Sequence, residues 1–293
     1  YTKGWGVEKD YKKAAEWYRK VAEQGVSGVQ FIVGAMYEKG DGVEQNYTEA
    51  AEWYRKAAEQ GNATAQCKLG IMCEEGQGVE QNDAEAATWY RKSADQNVPE
   101  AQFNLGIMYE EGRGVEQNDI EATEWYRKAA SQGIPAAQFN LGLRYEEGRG
   151  IERNNVRAAE WYQRAAEQGL ADVQFNLGTM YYDGQGVEQD YSKAVMWYRK
   201  AAEQGDAEAQ FNLGVMYYGG QGIEQDYAKA AMWYRRAAEQ GVAAAQFNLG
   251  VMYSNNQGVE QNYEKAAEWF LRAAKQGDAV AQFNLGQMYE KGE

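Results

Sequence analysis

Residues 207–241 read AEAQFNLGVMYYGGQGIEQDYAKAAMWYRRAAEQG, and the rest of the chain is a set of copies of this unit. Sliding the sequence against itself by 36 residues brings Trp17, Trp53, Trp89, Trp125, Trp161, Trp197, Trp233 and Trp269 into one column, with no insertion. Gly34, Gly70, Gly106, Gly142, Gly178, Gly214, Gly250 and Gly286 fill a second. A fixed period of about 20 to 50 residues, in units too small to bury their own apolar face, marks a stacked solenoid. The predicted fold class is therefore all-α, an α/α solenoid of helix-turn-helix repeats.

Within the unit, Phe211, Leu213, Gly214, Met216 and Tyr217 recur at helical spacing, and Ala230, Ala231, Trp233, Tyr234, Ala237 and Ala238 do so again after a loop. The spacing predicts helices over Ala207–Tyr218 and Tyr227–Glu239. Between them Gly220-Gln221-Gly222 supplies positive φ, and Asp226 stands at an N-cap, with Asp10, Asn46, Asn82, Asn118, Asp190 and Asn262 in the same column. The second helix ends at Gly25, Gly61, Gly133, Gly169, Gly205, Gly241 and Gly277, with Asn97 in their place once. These are the residues that best tolerate a left-handed closing conformation. Pro99 and Pro135 fall in the first turn of the first helix, where a missing N–H costs nothing. Gly214 lies inside a helix at a cost of about 1 kcal/mol relative to alanine. Its return in every repeat implies a close approach by an aromatic ring of the second helix, Trp233 or Tyr234.

The pattern LGxMYxxGxGVEQDYxKAAxWYRKAAEQG resembles the SEL-one-like repeat (SLR), a relative of the tetratricopeptide repeat. The resemblance covers essentially the whole chain, and the period exceeds the tetratricopeptide 34. It implies a right-handed superhelix of helix pairs, first helices lining the concave side, that acts as an adaptor for other proteins. It also implies a bacterial or endoplasmic-reticulum source, with scaffolding or host-interaction roles. The expected layout is a single array over 1–293: a partial repeat 1–25, full repeats 26–61, 62–97, 98–133, 134–169, 170–205, 206–241 and 242–277, and a partial repeat 278–293. Tyr1 aligns with Tyr37, and Glu293 falls just after a first helix. Neither end resembles a polar capping element, so a piece of a longer array is expected. Without an initiator Met, the lack of a signal peptide says nothing about export.

A formal net charge of −14 and a pI near 4.7 argue against nucleic acid and anionic membranes. They favour a neutral or basic protein or peptide partner for a monomeric array. No apolar run approaches about 18 residues, so no membrane span is expected. Cys67 and Cys73 sit in one helix, where Phe and Tyr stand elsewhere. Six helical residues place their Cα atoms about 9 Å apart, beyond disulfide reach, and they read as core thiols. This departs from the cysteine-rich members of the family, whose repeats are stapled by disulfides, and leaves the compartment undecided. The same repeat carries Lys68, Asp83 and Asn97 against the consensus and is the predicted weak point. Arg144 breaks the Met column and predicts a locally opened contact.

The chain has no histidine, which removes Ser-His-Asp and Cys-His chemistry along with the commonest transition-metal ligand. No catalytic residue, cofactor or metal site is predicted. The GxG pairs, such as Gly184-Gln185-Gly186, precede helices as phosphate loops do, but they recur in every unit without a following Lys and read as turns. The acid pairs Glu74-Glu75, Glu110-Glu111 and Glu146-Glu147 stand at first-helix C-termini, against the helix dipole, with Arg113 and Arg149 nearby. They read as solvated surface, as an acidic ridge for a basic partner, or as a Ca²⁺ site. Arg-Lys pairs such as Arg199-Lys200 complement second-helix C-termini.

Asn104, Asn140, Asn176, Asn212, Asn248 and Asn284 form one column of the first helix. Asn212 shares a face with Glu208, Val215 and Gly219, a stripe whose other members drift from unit to unit. Core positions repeat and solvent positions drift, so a repeating amide on the drifting face asks for a reason. The tetratricopeptide resemblance implies that it holds a bound peptide's backbone. The competing role is a hydrogen bond to the neighbouring helix that holds the stack. The leading expectation is a non-catalytic adaptor using the concave face. Its alternatives are a secreted or periplasmic virulence-type factor binding a host glycoprotein or immunoglobulin, and an accessory region of a cell-wall or hydrolase-associated enzyme.

Overall fold

The computed structural model describes residues 8–292. Tyr1 and Glu293, on which the register of the chain ends rests, lie outside them. Sixteen helices of thirteen residues make up the described chain, with no strand among these residues. They fall into two compact units divided between Arg153 and Asn154. The first holds α1 (Tyr11–Glu23), α2 (Ser27–Lys39), α3 (Tyr47–Glu59), α4 (Ala63–Glu75), α5 (Asp83–Asp95), α6 (Pro99–Glu111), α7 (Asp119–Ser131) and α8 (Pro135–Glu147). The second holds α9 (Asn155–Glu167), α10 (Ala171–Asp183), α11 (Tyr191–Glu203), α12 (Ala207–Gly219), α13 (Tyr227–Glu239), α14 (Ala243–Asn255), α15 (Tyr263–Lys275) and α16 (Ala279–Lys291). Within each unit every helix packs on its neighbours in the chain, the contact pattern of an α/α repeat solenoid.

Local chemistry sets the boundaries. Asp226 Oδ1 accepts from the Lys229 N–H at 2.9 Å, and all six other expected caps work the same way. Asn154, in the same column, caps α9 in addition. Asn97 takes φ +67° where the other repeats use glycine. Pro99 and Pro135 open α6 and α8.

Packing explains the helical glycine. A Cβ on Gly214 would lie 2.6 Å from Cδ1 of Tyr234, and one on Gly178 would lie 2.7 Å from Tyr198. The approaching ring is therefore the tyrosine. Trp233 instead packs with the Arg236 guanidinium 4.6 Å from its ring centroid. In the loop, Gly186 is needed twice over, because φ is +72° and a Cβ would fall 2.1 Å from the Asn155 carbonyl oxygen. The sequence pattern accounts for the dihedral alone. The loop glycine also seats the first turn of the preceding second helix.

The repeat 62–97 keeps its contacts by substitution. Cys67 and Cys73 are buried free thiols. Where Tyr217 accepts from Arg199 at 3.0 Å, Cys73 offers no hydroxyl, and the corresponding Arg55 pairs with Glu85 at 2.7 Å. Lys68 reaches Glu38 at 3.2 Å.

Arg144 corrects the expectation of an opened contact. Its side chain is only 3% exposed, bonded to Asp119 and 2.9 Å from Glu110. The long side chain fills the methionine position and carries its charge out to two carboxylates, so the contact is closed by ion pairing.

Candidate protein-binding face

Asn104 and Asn140 lie on α6 and α8 of the first unit, and Asn176, Asn212, Asn248 and Asn284 on α10, α12, α14 and α16 of the second. All six are half-buried. Around Asn212, Glu208 and Gly219 are exposed and Val215 is half-buried, as the helical spacing requires.

The stack is held by a different amide. Gln210, buried, donates to the Ala202 carbonyl at 3.1 Å and accepts from Gln240 at 2.8 Å. The Asn amides meet tyrosine hydroxyls instead: Asn104 meets Tyr90, Asn140 Tyr126, Asn212 Tyr198 and Asn248 Tyr234. In each pair the Asn side chain opposes the rise in phenol pKa that burial imposes.

In the first unit the same hydroxyls serve carboxylates. Tyr90 donates to Glu74 at 2.6 Å, Tyr126 to Glu110 at 2.5 Å, and Tyr54 to Glu38. Burial first, then the acceptor carboxylate, push these phenols well above their ordinary range.

The three acid pairs split accordingly. Glu74 also accepts from Arg113 at 2.8 Å, and Glu110 lies 2.9 Å from Arg144 and 3.4 Å from Arg149. Glu146 is half-buried. Glu75, Glu111 and Glu147 are exposed. Arg113 takes Glu111 at 2.5 Å, and Arg149 lies 3.8 Å from Glu147. One acid of each pair thus faces solvent. Among the described residues no group of His, Cys, Asp or Glu is placed to hold a metal ion, and no helix is long and apolar enough to cross a membrane.

In the second unit the column of Glu38, Glu74 and Glu110 holds Tyr182, Tyr218 and Ser254. Asn284 lines a cavity of about 360 Å³ with Val251, Ser254, Phe270 and Lys291. Sequence reading missed the tyrosine hydroxyls as partners of the asparagines. The signal was available, since Asn212 and Tyr198 keep a constant separation of 14 in repeat after repeat.

The Sel1 repeat model matches residues 1–26, 28–62, 63–98, 99–134, 135–170, 171–206, 207–242, 243–278 and 279–293. A protective antigen of uropathogenic Escherichia coli strains with an SLR fold is 40% identical, with a TM-score of 0.89 over 95% of this chain. The chain spans 60% of that relative's length. A Sel1 repeat protein of Oxalobacter formigenes is 36% identical, with a TM-score of 0.70, covering 96% of this chain and 82% of the other. No curated protein matches. Sel1 repeat proteins generally act as protein-interaction scaffolds and are typically non-catalytic. With nine matched stretches running through the sequence and helix pairs to go with them, the chain belongs to the Sel1 repeat family.

Proposed function

We propose that this chain is a non-catalytic scaffold, one continuous array over residues 1–293, that binds a neutral or basic partner protein or peptide along its first-helix face. In the family's superhelical arrangement this face is the concave one. The observation that carries the reading is the division of labour between two repeating amides. The Gln210 column makes hydrogen bonds between helices, which leaves the Asn212 column available to a partner. An amide both donates and accepts, which suits a peptide backbone. First helices stacked about 8 to 10 Å apart would meet an extended chain at about every third residue. Exposed Glu75, Glu111 and Glu147 supply an acidic ridge for a basic flank.

Replacing Asn176 and Asn212 together by Ala tests the reading. Partner binding is expected to fall while the melting temperature barely moves. A melt lowered by several degrees, with binding by the folded fraction unchanged, would make the ladder structural.

A second reading, an exported factor that meets a host protein, is favoured by one observation. A relative sharing 40% identity is a protective antigen of uropathogenic strains. A signal peptide in the full-length gene product would support it, and retention of the full-length protein in the cytoplasm would remove it.

A further inference from the structure

On the second helices one column changes character in two adjacent repeats. Glu16, Glu52, Glu124, Glu160 and Glu268 hold it elsewhere, with Thr88 once, whereas α11 and α13 place Met196 and Met232 there. Both methionines are exposed, at 42% and 40%. The two helices lie side by side within the second unit. A Cβ on Gly222 would fall 2.4 Å from the Tyr191 carbonyl oxygen at the start of α11, and Gln240, just past α13, donates to the Gly205 carbonyl just past α11 at 3.0 Å. One helix spacing, about 8 to 10 Å, therefore separates the methionines on one exposed face. The same exchange frees cations. In α7 the column's Glu124 pairs with Arg127. With methionine in its place Arg199 turns to the Tyr217 hydroxyl at 3.0 Å and Arg235 to Tyr253 at 2.5 Å, as Arg91 beside Thr88 turns to Tyr109. Lys200 and Arg236 lie over the Trp197 and Trp233 rings, 4.0 Å and 4.6 Å from the centroids. Among the described residues the ion pairs of α11 and α13 are those of Lys193 and Lys229 with the N-caps Asp190 and Asp226. Each helix thus shows two cations without an acid partner, in a chain of net charge −14. Met232 also lines a cavity of about 330 Å³ together with Ala231, Val259, Arg235 and Arg236.

We infer that the exposed face of α11 and α13 is a second docking surface, and that it takes an acidic peptide segment carrying an apolar side chain among its carboxylates. This surface lies apart from the first-helix face of the scaffold reading and selects the opposite charge, so an array using both bridges two partners. Methionine is unbranched and polarizable, and packs on an apolar side chain without demanding one shape. Glutamate in the same column would set like charge against the partner's carboxylates and give the arginine a partner of its own. A guanidinium takes a carboxylate by two parallel hydrogen bonds, and Arg199 and Arg235 have no carboxylate to release first. The complementarity is local. Glu160 on α9 and Glu268 on α15 bound the strip on either side, and charges beyond about 10 Å are screened at ordinary salt. A segment no longer than these thirteen-residue helices, about 20 Å, stays on the basic strip. A nucleic acid or an anionic membrane reaches past it onto an acidic chain and is repelled there.

The probes are a short synthetic peptide with one leucine among glutamates, the same peptide with alanine for leucine, a phosphatidylserine vesicle and a single-stranded oligonucleotide, each titrated by calorimetry into the whole chain. The leucine peptide is expected to bind, more weakly as salt is raised, and the alanine peptide about tenfold less tightly. Met196→Glu/Met232→Glu returns both positions to the residue of the other repeats, so it should melt with the parent while weakening the leucine peptide at least about tenfold. Lys200→Gln/Arg236→Gln should weaken both peptides alike. Asn176→Ala/Asn212→Ala, on the first helices, should leave Kd unchanged. Failure of the leucine peptide to bind, equal affinity of the two peptides, or undiminished binding to the Met196→Glu/Met232→Glu variant overturns the inference. Binding lost in the asparagine variant and kept in the methionine variant would seat the peptide on the first-helix face, leaving the scaffold reading standing and this one fallen. Binding of the vesicle or the oligonucleotide in place of the peptides would make the strip a polyanion surface and likewise overturns it.

Discussion

Gln60 donates through Nε2 to Oε1 of Gln30 at 2.7 Å, and Gln30, 5% exposed, donates in turn to the Ala22 carbonyl at 3.1 Å. The relay repeats as Gln96–Gln66–Ala58 and Gln132–Gln102–Ala94 in the first unit. In the second it runs as Gln204–Gln174–Ala166 and Gln276–Gln246–Ala238. An apolar interface of alanines and leucines would tolerate sliding, because the hydrophobic effect is non-directional. A buried amide that must meet one carbonyl and one neighbouring amide fixes the register.

Breaking that relay should therefore cost stability out of proportion to volume. Gln210→Leu removes two hydrogen bonds, and a loss of about 1 to 3 kcal/mol is expected. Gln240→Ala, at an exposed partner, should cost about 0.5 to 1.5 kcal/mol. Urea denaturation of both variants checks the order, and equal or reversed losses would refute a register role for the buried member.

Gly178→Val forces a side chain into the ring of Tyr198 and should destabilise by about 1 to 3 kcal/mol. Gly286 occupies the same column at the end of the described chain, where a Cβ would meet nothing within 4 Å. Gly286→Val should leave the melt unchanged or raise it slightly, since valine is the better helix former. If both variants melt with the parent, close packing is not what keeps this column glycine.

Much of this fold was legible because every repeat votes on it. The second helix of the 207–241 unit is Tyr227–Glu239 as read, and the first extends one residue past the expected Tyr218, to Gly219. Sequence could narrow the partner of Gly214 to Trp233 or Tyr234 but not choose, since adjacent helical residues point about 100° apart and only the crossing geometry decides which one enters the niche. The Gln210 column repeats as faithfully as Asn212 and escapes a sequence reading because a buried glutamine looks like a surface residue in a polar-rich sequence. Arg144 misleads for another reason. Its partners, Asp119 and Glu110, lie 25 and 34 residues earlier, a separation that only the packing of neighbouring repeats brings together.

Arg144→Met restores the column residue and tests the ion network. Arg149 stays near both carboxylates, 3.1 Å from Asp119 and 3.4 Å from Glu110. The expected cost at neutral pH is therefore about 1 to 3 kcal/mol, below the roughly 3 to 5 usual for orphaning a buried charge. The Arg144 hydrogen bond is the main cause that holds the Asp119 carboxyl below its ordinary range. A lowered carboxyl pKa stabilises above the unfolded value near about 3.9, and that contribution is lost as pH falls through the folded value. The deficit of the variant should shrink between pH 7 and pH 3 in urea titrations. A deficit that stays constant would mean that the methionine repacks the site without an electrostatic loss.

The two thiols set an alkaline limit. Burial pushes Cys67 up to about 12, with Glu100 adding to it, and Cys73 up to about 11, with Glu85 adding to it. A free thiol titrates near about 8.5. A group whose pKa is raised by folding stabilises fully below its unfolded value, and that stability drains away as pH climbs through the folded values. Buried Tyr234, also raised, acts in the same direction from a higher starting point. The urea midpoint should therefore hold steady up to about pH 8.5 and decline above it, and Cys67→Val/Cys73→Val should move the onset of decline towards about pH 10, where tyrosine takes over. At pH 8 a thiol reagent should label neither cysteine in the native chain and both after denaturation, because the buried neutral thiol is not the nucleophile. Rapid native labelling of Cys67 would show that the 62–97 repeat opens readily, as its departures from consensus predict, and would put the alkaline limit down to local unfolding and not to the folded-state pKa.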